Sequence, residues 1–486
     1  MSENPITQFC ENRKHPHYAQ AAKNWAFLSA AYQGSEEYFK SYLWRFSKEE
    51  ADDYNRRVSM ATRYNFVEDV IEQYVSYIFQ KDPQRENETA AMADFNTDVG
   101  HGIEINDFMK DVLRSVCQNG ACYVCIDKPS ALISPKSRAE EKASKIRPYA
   151  YIIDPIDVED FGVENGQFSW IKVKETYRDN ADPMASSGKM RKRIRLWTQS
   201  EWTLFEEKEQ EGRKEWVRVD EGYHGLGIVP IVQVSTSNTL DFTVKPLVQE
   251  IAKLDNEITN VNSMLQTILS DQTFSQLVIP FDTLDELLDD SSRADVVSGI
   301  QNVGLKLGTR SVIPYLVRDG KPMPPGYISP DASQASLLLE TIKQKIYQIY
   351  QKAKLLHKLP DGATAASGKS KEQDFKELNA QLSKYADALQ KGEEQIAMVV
   401  HKWEGVKDTD YYVDYPDNFE TEVVSELIAN LDRMTVLDMP LTFLAEMKRK
   451  IINLSVSKLD DATWEKIDTE ITSTSEGLFT AEGGDV

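Results

Sequence analysis

From Leu247 onward, apolar residues recur at Ile251, Leu254, Ile258, Val261, Leu265 and Ile268, alternating steps of four and three. Only a helix near 3.6 residues per turn gathers such a series on one face. The stripe predicts a rod of about 22 residues, roughly 33 Å long at 1.5 Å per residue. Pro246 suits its first turn. A second rod is expected after Pro330, where Asp331 and Gln334 fit a capping box. Its stripe is Ala335, Leu338, Ile342, Ile346, Ile349, Ala353 and Leu356. A third starts near Lys371 and carries Phe375, Leu378, Leu382, Tyr385, Leu389, Ile396, Val399 and Trp403, with a bend expected at Gly392.

Between the first two rods, Asp271 to Pro330 is too long for a plain loop and holds short apolar runs at Gln276–Ile279 and Val312–Val317. Between the second and third, Leu359 to Ser370 is small-residue, loop-like chain. Upstream, the first stretch to about residue 118 reads as helical. Arg45 to Gln80 is expected as one long helix, stopped by Asp82-Pro83. A second helix carries Ile105, Phe108, Met109, Val112, Leu113 and Val116, ending in an Asn119-Gly120 turn. Strand composition then dominates at Ala121–Asp127, Pro148–Ile153, Phe168–Tyr177, Arg191–Phe205, Glu215–Val219 and Ile228–Val234. The charged stretch Ser130–Lys145 reads as a loop insertion. Past the third rod, helices are expected at Thr421–Met434 and Leu441–Ile452, and Thr472–Val486 reads as a disordered acidic tail. The fold class is α+β.

The chain has 486 residues and a net charge of −22. Glu404 to Val486 holds 19 acidic and 7 basic residues, so −12 of that charge lies in the last sixth. A chain this acidic is no generic coat for DNA, which needs a basic surface. No run of 18 apolar residues occurs, so no membrane span is expected. Met1-Ser2-Glu3-Asn4-Pro5 has no basic region ahead of an apolar core, so no signal peptide is expected.

Catalytic and metal signatures are weak. Cys117, Cys122 and Cys125 match three positions of an iron–sulfur run, but no fourth thiol follows, so buried free thiols are expected. His15-Pro16-His17 is the only close histidine pair and reads as solvated rather than metal-bound. Gly362 to Ser370 misses a phosphate-binding loop by one residue, and no G-x-S-x-G occurs. Asp52-Asp53, Asp289-Asp290 and Asp460-Asp461 read as solvated or capping carboxylates. No enzyme, cofactor or metal is expected. The basic cluster Lys189, Arg191, Lys192, Arg193 and Arg195 reads as a solvated hairpin edge, an intersubunit contact with an acidic surface, or a duplex contact.

The order of these parts resembles the portal protein of tailed bacteriophages. The resemblance is carried by Trp44-Arg45, Tyr54-Asn55-Arg56-Arg57, Asn65-Phe66-Val67-Glu68 and Tyr77 to Pro83, by Tyr151 to Phe161, by Val229-Pro230-Ile231-Val232 ahead of the first rod, and by Pro360-Asp361 through Ser367-Gly368 opening a helix. It implies a wing over 1–245 (helical 1–118, β-rich 119–245), a first stem helix 246–271, a small mixed clip 272–330 and a second stem helix 331–358. A tunnel loop 359–370, a kinked wing helix 371–415, a helical crown 416–471 and an acidic tail 472–486 complete it.

That family forms a ring, usually of twelve copies, at one capsid vertex, assembled in the host cytoplasm. Double-stranded DNA is packaged and ejected through its channel. The resemblance therefore implies as partners the terminase large subunit, head-completion or adaptor proteins, and major capsid and scaffolding proteins. Gln249, Glu250, Lys253, Asp255, Asn256 and Glu257, with Gln344, Lys345, Gln348 and Lys352, are expected to line the channel, where net acidity opposes sticking of a polyanion. Lys354, Lys358, Ser367, Gly368, Lys369 and Lys371 are the DNA-side candidates at the constriction. Leu247, Ile251, Leu254, Ile258, Val261, Leu265, Ile342, Ile346, Ile349, Arg191 and Arg193 are the candidates for contact between copies. A helical scaffold or adaptor without a pore is the alternative, and a carboxylate-dependent hydrolase a more distant one.

Overall fold

The computed structural model describes residues 5–129, 147–210 except 181 and 185, 213–272, 276–280, 312–315, 326–328, 333–358, 368–407, 410–417, 419, 431, 440–455 and 461–477. Two compact units divide the chain, Met1–Asn418 and Phe419–Val486.

The first unit opens with helices α1 (Pro5–Asn12), α2 (Tyr18–Gln33), α3 (Glu36–Tyr42), α4 (Ala51–Met60) and α5 (Phe66–Ile78). The single helix expected over Arg45–Gln80 is thus two helices. Asn65 takes a left-handed φ of 56°, which a continuing helix cannot accommodate, and its amide donates to the Tyr32 carbonyl at 3.2 Å. Strand β1 (Gln84–Glu86) and helices α6 (Ala90–Thr97) and α7 (Ile105–Asn119) follow. Every predicted apolar position of α7 is buried. Gly120 ends α7 at φ +87°, and a Cβ there would sit 2.4 Å from the Val244 carbonyl oxygen. Only glycine satisfies both the turn and the close approach.

The β-rich part contains β2 (Ala121–Asp127), β3 (Tyr149–Ile153), β4 (Val158–Glu164), β5 (Gln167–Arg178), β6 (Met190–Thr198), β7 (Glu201–Gln210), β8 (Arg213–Tyr223) and β9 (Ile231–Ser235). The order β3-β2-β9 makes one antiparallel sheet, and β4 to β8 make a five-stranded meander. The expected strand Arg191–Phe205 is a hairpin that turns at Gln199-Ser200, and β4 was not anticipated as a strand. Strand β2 is buried on both faces, so Cys122 and Cys125, on opposite faces by strand alternation, are both inaccessible. All four cysteines are free and buried, as expected.

A core between these sheets and α2 joins Trp25, Tyr123, Phe161, Ile171, Trp197 and Phe242. A smaller cluster of Cys10, Ile194, Phe205 and Trp216 receives Ile6 and Phe9 of α1. Buried Lys172 holds α1 in place. Its ammonium donates to the carbonyls of Phe9, Cys10 and Arg13 at 3.0, 2.8 and 2.9 Å and pairs with Glu159 at 2.8 Å.

The rods are α8 (Gln249–Gln272), α9 (Ser333–Lys352) and α10 (Gly368–Glu404). Between α8 and α9 lie β10 (Gln276–Pro280), β11 (Val312–Tyr315) and β12 (Gly326–Ile328), a sheet in which β10 pairs parallel with β11 and antiparallel with β12. The predicted run Gln276–Ile279 lies within β10, and the first four residues of the run Val312–Val317 form β11. Helix α10 runs unbroken through Gly392. A Cβ at Gly392 would lie 2.7 Å from Cγ2 of Val234, so this glycine lets α10 sit close against β9. Strand β13 (Tyr412–Asp414) pairs antiparallel with β1.

In the second unit, α11 (Leu441–Ser455) matches the expected helix, and α12 (Asp461–Gly477) extends into the stretch expected to be disordered. The helix expected at Thr421–Met434 lies outside the described residues, apart from Leu431.

Candidate functional site: the helix pair and the turn that follows it

Helices α8 and α9 pack side by side, and Lys345 of α9 pairs with Glu257 of α8. Their apolar stripes meet the rest of the protomer. Ile251, Ile258, Leu265, Ile342 and Ile349 are all buried within one chain. These five candidates for contact between copies hold the protomer together instead. Leu247, Leu254, Val261 and Ile346 are half-buried.

A second face of α8 is also buried, and it is polar. Asp255, Thr259, Asn260, Asn262 and Ser263 are all withdrawn from solvent. Thr259 Oγ1 donates to the Asp255 carbonyl within the helix at 2.9 Å, and most of the other partners come from residues 38–63. Arg63 Nε donates to Asp255 Oδ2 at 2.9 Å, and its guanidinium stacks 4.5 Å from the Tyr38 ring. Tyr38 Oη donates to Asn256 Oδ1 at 3.0 Å, and the Trp44 backbone N–H donates to Asn260 Oδ1 at 2.7 Å. Arg57 bridges Glu49 at 2.8 Å and Ser263 Oγ at 3.0 Å. Asn262 reaches Thr62 Oγ1 at 3.1 Å. Asp255 and Asn256, expected to face a channel, therefore face the body of their own subunit. Burial pushes the Asp255 carboxyl up, and the Arg63 charge opposes that shift. Sequence reasoning missed this seam. Its signal was present in the i, i+4 spacing of Asp255 with Thr259 and of Asn256 with Asn260 inside a helix otherwise rich in better helix formers.

The chain leaves α9 through a tight turn. Ala353 and Leu355 are buried, Lys354 adopts a left-handed φ of 59°, and Tyr74 Oη donates to the Ala353 carbonyl at 3.0 Å. Lys354 pairs with Glu377 at 2.7 Å, and the Lys358 ammonium lies 5.4 Å from the Tyr77 ring centroid. The Lys354 charge is thus locally balanced. Gly368, Lys369 and Lys371 fall in the first turn of α10 rather than in a loop, and Ser367 lies outside the described residues.

Of the basic cluster, Lys189 and Lys192 are exposed, whereas the three arginines are paired within the sheet. Strand β6 lies inside the meander between β5 and β7. Arg191 pairs with Asp179 at 3.0 Å, Arg193 with Glu206 at 3.3 Å, and Arg195 with Glu175 at 2.6 Å. Arg193 also stacks 3.6 Å from the Tyr177 ring centroid. These cations are matched within the chain, so the hairpin-edge reading gives way to cross-strand pairing.

Among the described residues, no helix is long and apolar enough to cross a membrane. Asp52 and Asp53 are exposed in the first turn of α4, where carboxylates complement the helix dipole.

No protein-family model matches the chain, and no curated protein matches it. Among solved structures, similarity is found to the neck of an empty GTA particle computed with C6 symmetry, at 9% identity and a TM-score of 0.39, covering 90% of this chain and 94% of that one. The neck of a native GTA particle computed with C12 symmetry aligns at 11% identity and a TM-score of 0.38, covering 76% and 85%. A chain from the virion of a native gene transfer agent particle aligns at 12% identity and 0.38, covering 84% and 93%. At these scores the likeness transfers no role to this chain.

Proposed function

We propose that this chain is a structural subunit of a tailed-phage-like particle, and more narrowly a portal subunit that rings a DNA channel at one capsid vertex. The observation that carries the reading is the helix pair. Two rods, α8 and α9, lie side by side, the described residues between them form a three-stranded sheet, and a third, 37-residue helix begins within 16 residues of the second rod's end. That series matches the stem, clip, stem and wing-helix order which the sequence resemblance implies.

In such a ring the seam between α8 and residues 38–63 makes each subunit rigid, while the outward faces of α9 meet neighbours or the channel. Leu337 and Leu339 are 68% and 47% exposed and supply apolar surface for an adjacent copy. The subunit itself carries out no catalysis; a terminase motor and head-completion proteins dock on the ring. Lys369 and Lys371, in the first turn of α10, are the candidates for the DNA side of such a channel. Replacing both lysines by alanine is expected to change DNA packaging or retention in a salt-dependent way. Unchanged packaging and retention would remove these lysines from the channel.

A further inference from the structure

The fold brings Asp241, in the segment after β9, against His15 and His17 at the start of α2, although His17 and Asp241 lie 224 positions apart. We propose that His15, His17 and Asp241 form a binding site for a first-row divalent cation of borderline softness, with zinc as the representative ion. One ligand atom from each residue lies within 4.8 Å of the other two. His17 Nδ1 and Asp241 Oδ1 are 3.4 Å apart. Two donors bound at roughly 2.1 Å with tetrahedral angles stand about 3.4 Å apart, so this pair already has ligand spacing.

The donors are held before any ion arrives. The His15 ring stacks 5.1 Å from Phe161 and meets the edge of Phe242 at 5.0 Å. The His17 backbone N–H donates to His15 Nδ1 at 3.3 Å, a long bond that orients the ring. Asp241 accepts from Thr243 Oγ1 at 2.7 Å and from the Phe242 backbone N–H at 2.6 Å. Such outer partners fix a ligating carboxylate and sharpen affinity. Two imidazoles and one carboxylate suit zinc and its neighbours, whereas magnesium and calcium prefer oxygen donors throughout. The site is partly exposed, so three protein donors leave a coordination position open to water or to a ligand from another chain. A bound ion would tie the start of α2 to the segment leading into α8.

The test is calorimetric titration of Zn²⁺ into the full-length, tag-free, chelator-treated protein, with Co²⁺ absorption reporting geometry. One equivalent per chain is expected, with tetrahedral-intensity visible bands for Co²⁺. His17→Ala and Asp241→Asn should each weaken binding at least tenfold, Thr243→Val should weaken it by about tenfold, and His101→Ala should change nothing. His17 and Asp241 lie outside the apolar core, so their variants keep the test valid if His15→Ala fails to fold. No stoichiometric binding, or binding that Asp241→Asn and His17→Ala leave unmoved, would overturn the site and reduce the cluster to a His17–Asp241 ion pair. Neither result bears on ring formation.

Discussion

Arg63 and Asp255 form an ion pair whose side chains are 3% and 0% exposed, linking the segment between α4 and α5 to the middle of α8. Removing one partner of such a pair strands a buried charge. Arg63→Ala is therefore expected to cost about 3–5 kcal/mol of stability in chemical denaturation. The double replacement Arg63→Met with Asp255→Leu should cost clearly less than Arg63→Ala alone, because neither charge is then left unpaired.

Gly392 yields a prediction that runs against helix propensity. Alanine in a helix interior ordinarily gains about 1 kcal/mol over glycine. Here the new Cβ would press on Val234 at 2.7 and 2.9 Å. Gly392→Ala is expected to destabilise by about 1–3 kcal/mol through overpacking, and Val234→Ala in the same chain should recover part of the loss. A stabilising Gly392→Ala would mean that α10 does not lie this close to β9.

These two contacts also mark what the sequence could reveal. Periodicity found α7, α8, α9, α10 and α11 because an apolar stripe is a local property of the chain. It failed where a tertiary partner decides the outcome. Residues 51–78 share a plausible stripe, yet Asn65 breaks the helix because the chain there turns to place Thr62 and Arg63 against α8. Asp255 and Asn256 read as a solvated face because their partners, Arg63 and Tyr38, come from distant sequence. The close approach of Gly392 to Val234 was likewise invisible locally. Of the proposed site, the two rods and the interval between them were legible. Which side chains on them remain available to another molecule was not, since that depends on the packing of the first 65 residues.

His224 and His401 give the chain a pH dependence with a defined sign. Burial lowers both imidazole pKa values; His224 packs between Trp197 and Trp403, and His401 contacts Thr89 Oγ1 at 2.9 Å. The folded chain thus binds fewer protons than the unfolded chain in this range. Their contribution is fully present above the unfolded histidine pKa of about 6.5 and is lost as pH falls from there through the lowered folded values. Urea midpoints measured from pH 8 downward should begin to drop below about 6.5, and His401→Gln should flatten the decline. An unchanged slope in that variant would show that His401 titrates normally in the folded protein.

The exposed leucines of α9 provide a test of association. Leu337→Glu with Leu339→Glu should leave the folded chain intact, since neither side chain is in the core. In sedimentation velocity the variant should shift from large oligomers toward the 55.3 kDa monomer. Oligomers that persist unchanged would place the contact between copies on another face.

Electron microscopy of the chain, at high concentration and in assembled particles, bears most directly on the portal reading. Axial views should show a closed ring of copies, with the α8–α9 pairs around a central opening that admits a DNA duplex. Particles of one or two chains, with these helices enclosed and no axial opening under either condition, would contradict it.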